Sequence, residues 1–456
     1  DETETYLYKL KKRENTYIRV LVGPYIRPLK TLRGSRAYMI YEFQGKEKQA
    51  YFTDPQTFLN TIRSQTGIAI LKPQDFNEYL ENYKMANNVE YEDVIDSYGW
   101  EDDEKTFRHP AITEGYYKLL PNYDKMLLSN NDNNKEKHFE FVKKVLNSDG
   151  YLNILFLASF SAPILRFGGN SFTINVSGKP QTGKTLASTL ACNLFYDNRE
   201  PLSLRATLNA NESIIAKFSD LPILLDEREL TATEEETIKL IYMIFSNQTK
   251  RRLDINLNMN FKKFKSVAFN TGEHTLEDML TKFLKKSRNY KAGALRRGLN
   301  INIPENQPWI EIWGISKEEM IQARNLYGYV GVEWIKWLLA NKDKVLDAKY
   351  KASSINNNYP SGMEQIYEAL YTTIYLLEEF FGMKINTKPL ERYTMKEVKP
   401  LIEDQIVNRE RIWIQKLINW LKQNERAHFI HLEESPFTKK EEPTKPSHDF
   451  WGSLVW

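Results

Sequence analysis

The sequence predicts an α/β protein whose centre is a parallel sheet flanked by helices. Three stretches carry that expectation. Residues 171–177 alternate as a short strand, run into Gly178-x-x-x-x-Gly183-Lys184-Thr185, and give way to a helical stretch over 186–195. Residues 219–227 place apolar side chains before Asp226 and Glu227, the pattern of a buried parallel strand ending in acids. Residues 264–271 form another apolar strand, which closes on Asn270. Strands and helices alternate in this way from 172 to 304, as a parallel sheet with crossover helices requires.

Taken in order, residues 1–128 read as a mixed α+β accessory or collar domain. Strands are expected at 17–22 and 37–43, helices at 55–63 and 73–83, and a hairpin with an acidic turn at 98–107. No catalytic cluster stands out there. The polar run 129–137 reads as a linker. A helix at 138–146 opens the α/β core, 138–310. The most apolar window, 151–167, contains Asn153, Pro163 and Arg166 and is too short to span a bilayer, so it reads as a buried helix. Beyond it, 311–388 is helical, with apolar residues at helical spacing over 317–327, 332–340 and 362–381. Residues 389–456 follow the order of a winged helix: helices at 395–407 and 410–422, a strand at 427–432, and a wing near 439–445. The last residues read as an apolar strand cut short. The chain begins at Asp1 rather than Met and reads as a fragment.

Composition narrows the class. With 41% hydrophobic and 27% charged residues the chain is globular. A net charge of +3 means that nucleic-acid binding has to come from local clustering. The single cysteine, Cys192, excludes an internal disulfide and reads as a buried structural thiol on the helix after the glycine-rich loop. This fits a reducing, cytoplasmic setting.

The glycine-rich stretch is a phosphate-binding loop in its required context. Gly178 and Gly183 let the backbone bend so that N–H groups, Gln181 and Thr182 included, face phosphate oxygens at a helix N-terminus. Lys184 reaches the β- and γ-phosphates of ATP, and the Thr185 hydroxyl can hold Mg²⁺. Asp226 is the second Mg²⁺ residue and Glu227 the group that polarises the attacking water. The alternative is an Asp-Glu pair that caps the next helix, 232–245. Asn270 is placed to hold the lytic water, unless it is a turn residue before Gly272. Arg296 and Arg297, just before a strand, suit a finger for a neighbour's γ-phosphate, or are surface charge. A finger supplied in trans requires an oligomer.

Between these parts lies a basic hairpin. Residues 248–265 carry Lys250, Arg251, Arg252, Lys262, Lys263 and Lys265 against a single acid, Asp254. The hairpin either grips a nucleic-acid backbone or is an edge whose lysines block sheet-to-sheet pairing.

The order of these motifs resembles a known family. The phosphate loop is followed by Arg205-Ala-Thr-Leu-Asn-Ala-Asn-Glu212, Leu224-Leu-Asp-Glu227, Asn270-Thr-Gly-Glu273, Ala292-Gly293 with Arg296-Arg297, and Tyr327-Gly-Tyr-Val-Gly331, with Tyr98-Gly-Trp100 ahead of it. This combination is similar to the MCM-like AAA+ helicases of bacterial mobile elements, such as staphylococcal cassette chromosomes and pathogenicity islands, over residues 90–340. The resemblance implies an AAA+ core in a hexameric ring, ATP-driven DNA unwinding during replication with single-stranded or forked DNA as the partner, the basic hairpin in the central channel, and often a C-terminal winged helix. The chain departs from the family at Arg228-Glu229, where a small or apolar residue and Gly are more usual, and in a longer stretch around Arg296-Arg297. Two other readings stand beside the helicase: a ring ATPase that packages DNA or remodels protein, and an ATP-binding origin-recognition scaffold.

Overall fold

The computed structural model describes every residue except 1–4, 15, 34–36, 52–54, 103, 116, 118–119, 121–122, 127–131, 201, 204–207, 227–233, 250–251, 254–258, 261, 284–292, 356–358, 401–413, 415, 422, 424–428, 432–451 and 455–456. The chain divides into two compact units: residues 1–357 with 363–386, and residues 358–362 with 387–456.

The larger unit opens with an antiparallel ribbon, β1 (Tyr6–Arg13) and β2 (Thr16–Pro24). β3 (Arg27–Arg33), β4 (Tyr38–Phe43), β5 (Lys46–Tyr51) and β6 (Tyr91–Asp93) form a second sheet in the order β5-β4-β3-β6. The helices α1 (Pro55–Thr66) and α2 (Pro73–Ala86) cover it. α1 buries Phe58, Leu59 and Ile62; α2 buries Phe76 and Leu80, one turn apart. These side chains close one core with Val22, Ile26, Met39, Tyr41 and Phe43. Pro73 suits the first turn of α2, where its missing N–H would have no helical partner.

The short strands β7 (Gly99–Trp100) and β8 (Phe107–Arg108) form the expected hairpin. It locks onto the core that follows. Tyr98 N–H donates to the Lys217 carbonyl at 2.8 Å. The Trp100 indole donates to the Pro163 carbonyl at 2.8 Å, and its backbone N–H donates to Asp220 Oδ2 at 3.0 Å. Gly99 has φ +105, and a Cβ there would lie 2.4 Å from the Ser219 carbonyl, so only glycine allows this approach.

α3 (Asp132–Asn147) begins inside the run expected to be a linker, and Lys135 on it reaches Glu333 at 3.4 Å. α4 (Tyr151–Ser161) is buried almost throughout, but it stops early: a 3-10 turn, Ala162–Phe167, takes over where Pro163 removes a helical donor. Among the described residues no single helix is long and apolar enough to cross a membrane.

The central sheet is built from β9 (Phe172–Ser177), β10 (Leu202–Ser203), β11 (Ile223–Asp226), β14 (Val267–Gly272) and β15 (Gly298–Asn302), with β12 (Arg252–Leu253) and β13 (Met259–Asn260) apart from it as a hairpin. Its order is β10-β11-β14-β9-β15, and every pairing is parallel. All side chains of β9 and β14 are buried, as expected of strands covered on both faces. α5 (Lys184–Cys192) follows β9, α6 (Leu208–Lys217) follows β10, α7 (Glu234–Phe245) follows β11 and α8 (Leu276–Phe283) follows β14. Cys192 is buried, and burial pushes its thiol pKa up. The helices expected after the sheet form at Lys317–Ala323, Tyr329–Ala340 and Glu364–Phe381, with further ones at Trp309–Trp313 and Lys342–Ser354.

In the smaller unit a helix, Lys388–Tyr393, runs on into a π turn, Thr394–Val398. The expected strand near 427–432 is Phe429–His431, paired in parallel with Gly452–Leu454. The proposed wing at 439–445 lies outside the described residues.

Candidate nucleotide site

Three parallel strands converge at their C-terminal ends, the edge at which open α/β sheets bind ligands. β9 delivers the phosphate loop, β11 delivers Asp226, and β14 lies between them. The loop's shape depends on left-handed backbone at Gly178 (φ +152), Gln181 (φ +62) and Gly183 (φ +89). At Gly183 a Cβ would come within 2.3 Å of the Trp309 ring. Gly178 N–H donates to the Gly272 carbonyl at 3.2 Å, so the loop's first residue is tied to the end of β14. Thr182 Oγ1 donates to the Lys179 carbonyl at 2.9 Å.

The Lys184 ammonium is folded back onto the loop. It donates to the Gly178 carbonyl at 2.7 Å and the Lys179 carbonyl at 2.6 Å. Phosphate oxygens can replace those carbonyls without loss of hydrogen bonds to the buried cation. One residue on, Thr185 Oγ1 donates to Asp226 Oδ1 at 3.1 Å, and Thr271 Oγ1 donates to the same carboxylate oxygen. A hydroxyl and a carboxylate side by side beneath a phosphate cradle are a hard-oxygen donor set, so Thr185 and Asp226 fit Mg²⁺. Glu227, the expected water-activating residue, lies outside the described residues.

Asn270 is placed differently from the sequence expectation. β14 continues past it to Gly272, and its side chain faces away from Asp226. Its amide joins a ladder across the sheet: Asn270 Nδ2 donates to Asn175 Oδ1 at 3.1 Å, and Asn175 Nδ2 donates to Asn300 Oδ1 at 2.9 Å. Asn300 Nδ2 then donates to the Leu295 carbonyl at 2.9 Å, immediately before the arginine pair. The register explains the ladder, since Asn270, Asn175 and Asn300 are direct cross-strand partners. The residue that touches Asp226 is the next one, Thr271.

The two arginines also part. The Arg297 guanidinium lies 4.0 Å from the Tyr242 ring centroid and 4.9 Å from that of Phe245, and donates to the Gly293 carbonyl. Arg297 is therefore built into the packing on α7. Arg296, beside it in the chain, is half-buried.

Two tryptophans that no motif marked support the phosphate loop. Trp309 packs against Gly183, and the Trp313 indole donates to the Thr182 carbonyl at 2.9 Å. The signal available in the sequence was only their helical spacing, Trp309 and Trp313 one turn apart.

The basic hairpin forms. β12 and β13 pair antiparallel, with Arg252 opposite Asn260, and a bridge between Gln248 and Lys263 extends it. Lys262 and Lys263 are exposed at its base. Lys265 turns inward: its ammonium donates to the Gly169 carbonyl, and burial pulls its pKa below the ordinary value, opposed by nearby Asp220. Lys250 and Arg251 lie outside the described residues, and Arg252 contributes its backbone to the pairing.

Comparison with known proteins adds a fold likeness. A family model described as a domain of unknown function (DUF927) matches residues 62–259. No curated protein matches. A solved structure described as the SCCmec type IV Cch, an active helicase, superposes with a TM-score of 0.59 at 15% identity, covering 99% of this chain and 86% of that one. That likeness shows a shared fold. Two structures of the NrS-1 C-terminal region in apo form overlap with TM-scores of 0.31 and 0.28 at 11% and 10% identity, covering 80% and 81% of this chain and 90% and 91% of theirs. At those scores they carry no argument.

Proposed function

We propose that this chain is an ATP-hydrolysing AAA+ motor of the helicase type, which assembles as a ring and moves along single-stranded or forked DNA during replication of a mobile element. The observation that carries the reading is the convergence of Lys184, Thr185, Asp226 and Thr271 at one end of a parallel sheet. A sensor strand lying between the phosphate-loop strand and the acidic strand is what an AAA+ core needs. The fold shared with an active helicase supports the same class.

In this reading Lys184 leaves the loop carbonyls to meet the β- and γ-phosphates, while the loop N–H groups hold the remaining phosphate oxygens. Thr185 and Asp226 hold Mg²⁺, which supplies charge neutralisation on the phosphates when bound. Glu227 orients and polarises the attacking water. The place beside the lytic water expected of Asn270 passes to Thr271, whose hydroxyl already touches Asp226. Arg296 serves as the finger toward a neighbouring subunit, because Arg297 is committed to Tyr242 and Phe245. Lys262 and Lys263 offer phosphate contacts at the base of the β12–β13 hairpin.

The test is ATP turnover with and without single-stranded DNA, together with unwinding of a forked duplex. The expected result is DNA-stimulated hydrolysis and strand separation in one fork orientation. Lys184→Ala is expected to lower turnover at least about a hundredfold. Hydrolysis with no DNA stimulation and no unwinding in either orientation rejects the helicase and leaves a remodelling or packaging ATPase. Binding without hydrolysis leaves an origin-recognition scaffold.

A further inference from the structure

The β1–β2 ribbon holds a second, separate charged surface. Its residues 6–24 contain Lys9, Lys11, Lys12, Arg13 and Arg19 against one acid, Glu14. The acids Asp1, Glu2 and Glu4 precede it and lie outside the described residues. The register divides the ribbon into two faces. Tyr8 lies opposite Leu21, Leu10 opposite Arg19, and Lys12 opposite Tyr17, so these side chains share one face. The other face turns inward only at its Leu7–Lys9 end, while Lys11, Arg13 and Ile18 on it stay exposed. On it Val22 is buried in the N-terminal core, Leu7 packs against that core, and Lys9 pairs with Asp75 and Glu78 of α2 at 2.7 and 3.4 Å.

The outward face leaves large side chains in solvent. Tyr8 is 47% exposed, Leu10 63% and Tyr17 67%. No packing requirement of this unit accounts for two tyrosines and a leucine standing there. Among the described residues Lys9 is the only ribbon cation paired with a carboxylate. Aromatic rings interleaved with unneutralised cations match a single strand, whose bases have faces to stack and whose phosphates need counter-charge. A second copy of the chain fits poorly, because it would bring the same cations face to face.

We propose that the outward face of the β1–β2 ribbon binds single-stranded nucleic acid, with bases stacking on Tyr8 and Tyr17 and phosphates meeting Lys12 and Arg19. This gives the N-terminal region a binding role that is independent of ATP hydrolysis and distinct from the β12–β13 hairpin.

The test measures binding of a fluorescent oligo(dT) to the whole chain, without nucleotide, across a salt series. Two double variants on the outward face are compared, Tyr8→Ala with Tyr17→Ala, and Lys12→Ala with Arg19→Ala. The tyrosine pair is expected to weaken binding about tenfold or more at unchanged salt slope. The cation pair is expected to reduce the slope by about 1.4, the value for two phosphate contacts on a single strand. Each is repeated in a Lys262→Ala, Lys263→Ala background. Loss through the ribbon variants alone supports this contact and rejects the β12–β13 one; loss through the background alone does the reverse. Affinity and slope unchanged in both ribbon variants overturn the proposal. So does oligo(dT) affinity that is unchanged while the tyrosine pair alters oligomeric state or abolishes binding to phosphatidylserine vesicles.

Discussion

Two aspartates at opposite ends of one strand show how this molecule separates chemistry from architecture. Asp226 closes β11 at the C-terminal edge of the sheet, partly exposed, with the Thr185 and Thr271 hydroxyls on its carboxylate. Asp220 lies just before the same strand, fully buried, and accepts from Trp100 N–H and Ser219 Oγ. One carboxylate is solvated and placed to change partners. The other pins the Tyr98-Gly99-Trp100 segment to the core. The same division recurs between neighbours: Thr271 faces Asp226 while Asn270 joins the amide ladder. Side-chain direction separates the members of these pairs.

The arginine pair should give the largest contrast. In the assembled, DNA-stimulated protein, Arg296→Ala is expected to lower ATP turnover about a thousandfold, with thermal melting unchanged. Arg297→Ala is expected to cost about 1–2 kcal/mol of stability through the lost ring contacts, measured by urea unfolding. The opposite pattern would move the finger to Arg297 and make the stack a resting contact.

The two faces of β14 give the next contrast. Thr271→Val keeps the shape and removes the hydroxyl that touches Asp226; turnover is expected to fall by about 10²-fold with little loss of stability. Asn270→Ala leaves the Asn175 side-chain oxygen buried without its donor, and is expected to cost about 1–3 kcal/mol with turnover changed only a few-fold. If Asn270→Ala instead stops turnover in a fully folded protein, Asn270 acts on the water and the ladder is incidental.

What the sequence made legible follows from how local each signal is. The phosphate loop, the acidic strand and the basic hairpin each lie within one short run, where glycine placement and alternation suffice, and all three form. The register that aligns Asn270, Asn175 and Asn300 joins residues far apart in the chain, so no window could contain it. Strands β3 and β5 escaped notice because they read Arg-Pro-Leu-Lys-Thr-Leu-Arg and Lys-Glu-Lys-Gln-Ala-Tyr. β5 is a sheet edge, where charge blunts pairing instead of marking a loop. The run 129–137 reads as a linker because it is polar, yet the exposed face of a helix is polar too.

The last contrast returns to β11. Burial pushes the Asp220 carboxyl up to about 7, with Trp100 N–H, Arg166, Ser219 and Lys265 opposing the rise. An unfolded aspartate titrates near 3.9. Between about pH 4 and pH 7 the folded chain therefore holds a proton that the unfolded chain has released. Stability from this group is fully present below pH 4 and is lost as pH rises through about 7, with a slope of at most about 1.4 kcal/mol per pH unit. Asp220→Asn keeps an acceptor for Trp100 N–H and removes the ionisation. Urea unfolding from pH 4.5 to 8 should show that slope in the parent and not in the variant, with the variant the more stable of the two above pH 7. If the parent instead shows no fall in stability across this range, Asp220 is ionised in the fold, held by Arg166 and Lys265. The distinction between an architectural and a chemical aspartate would then rest on exposure alone.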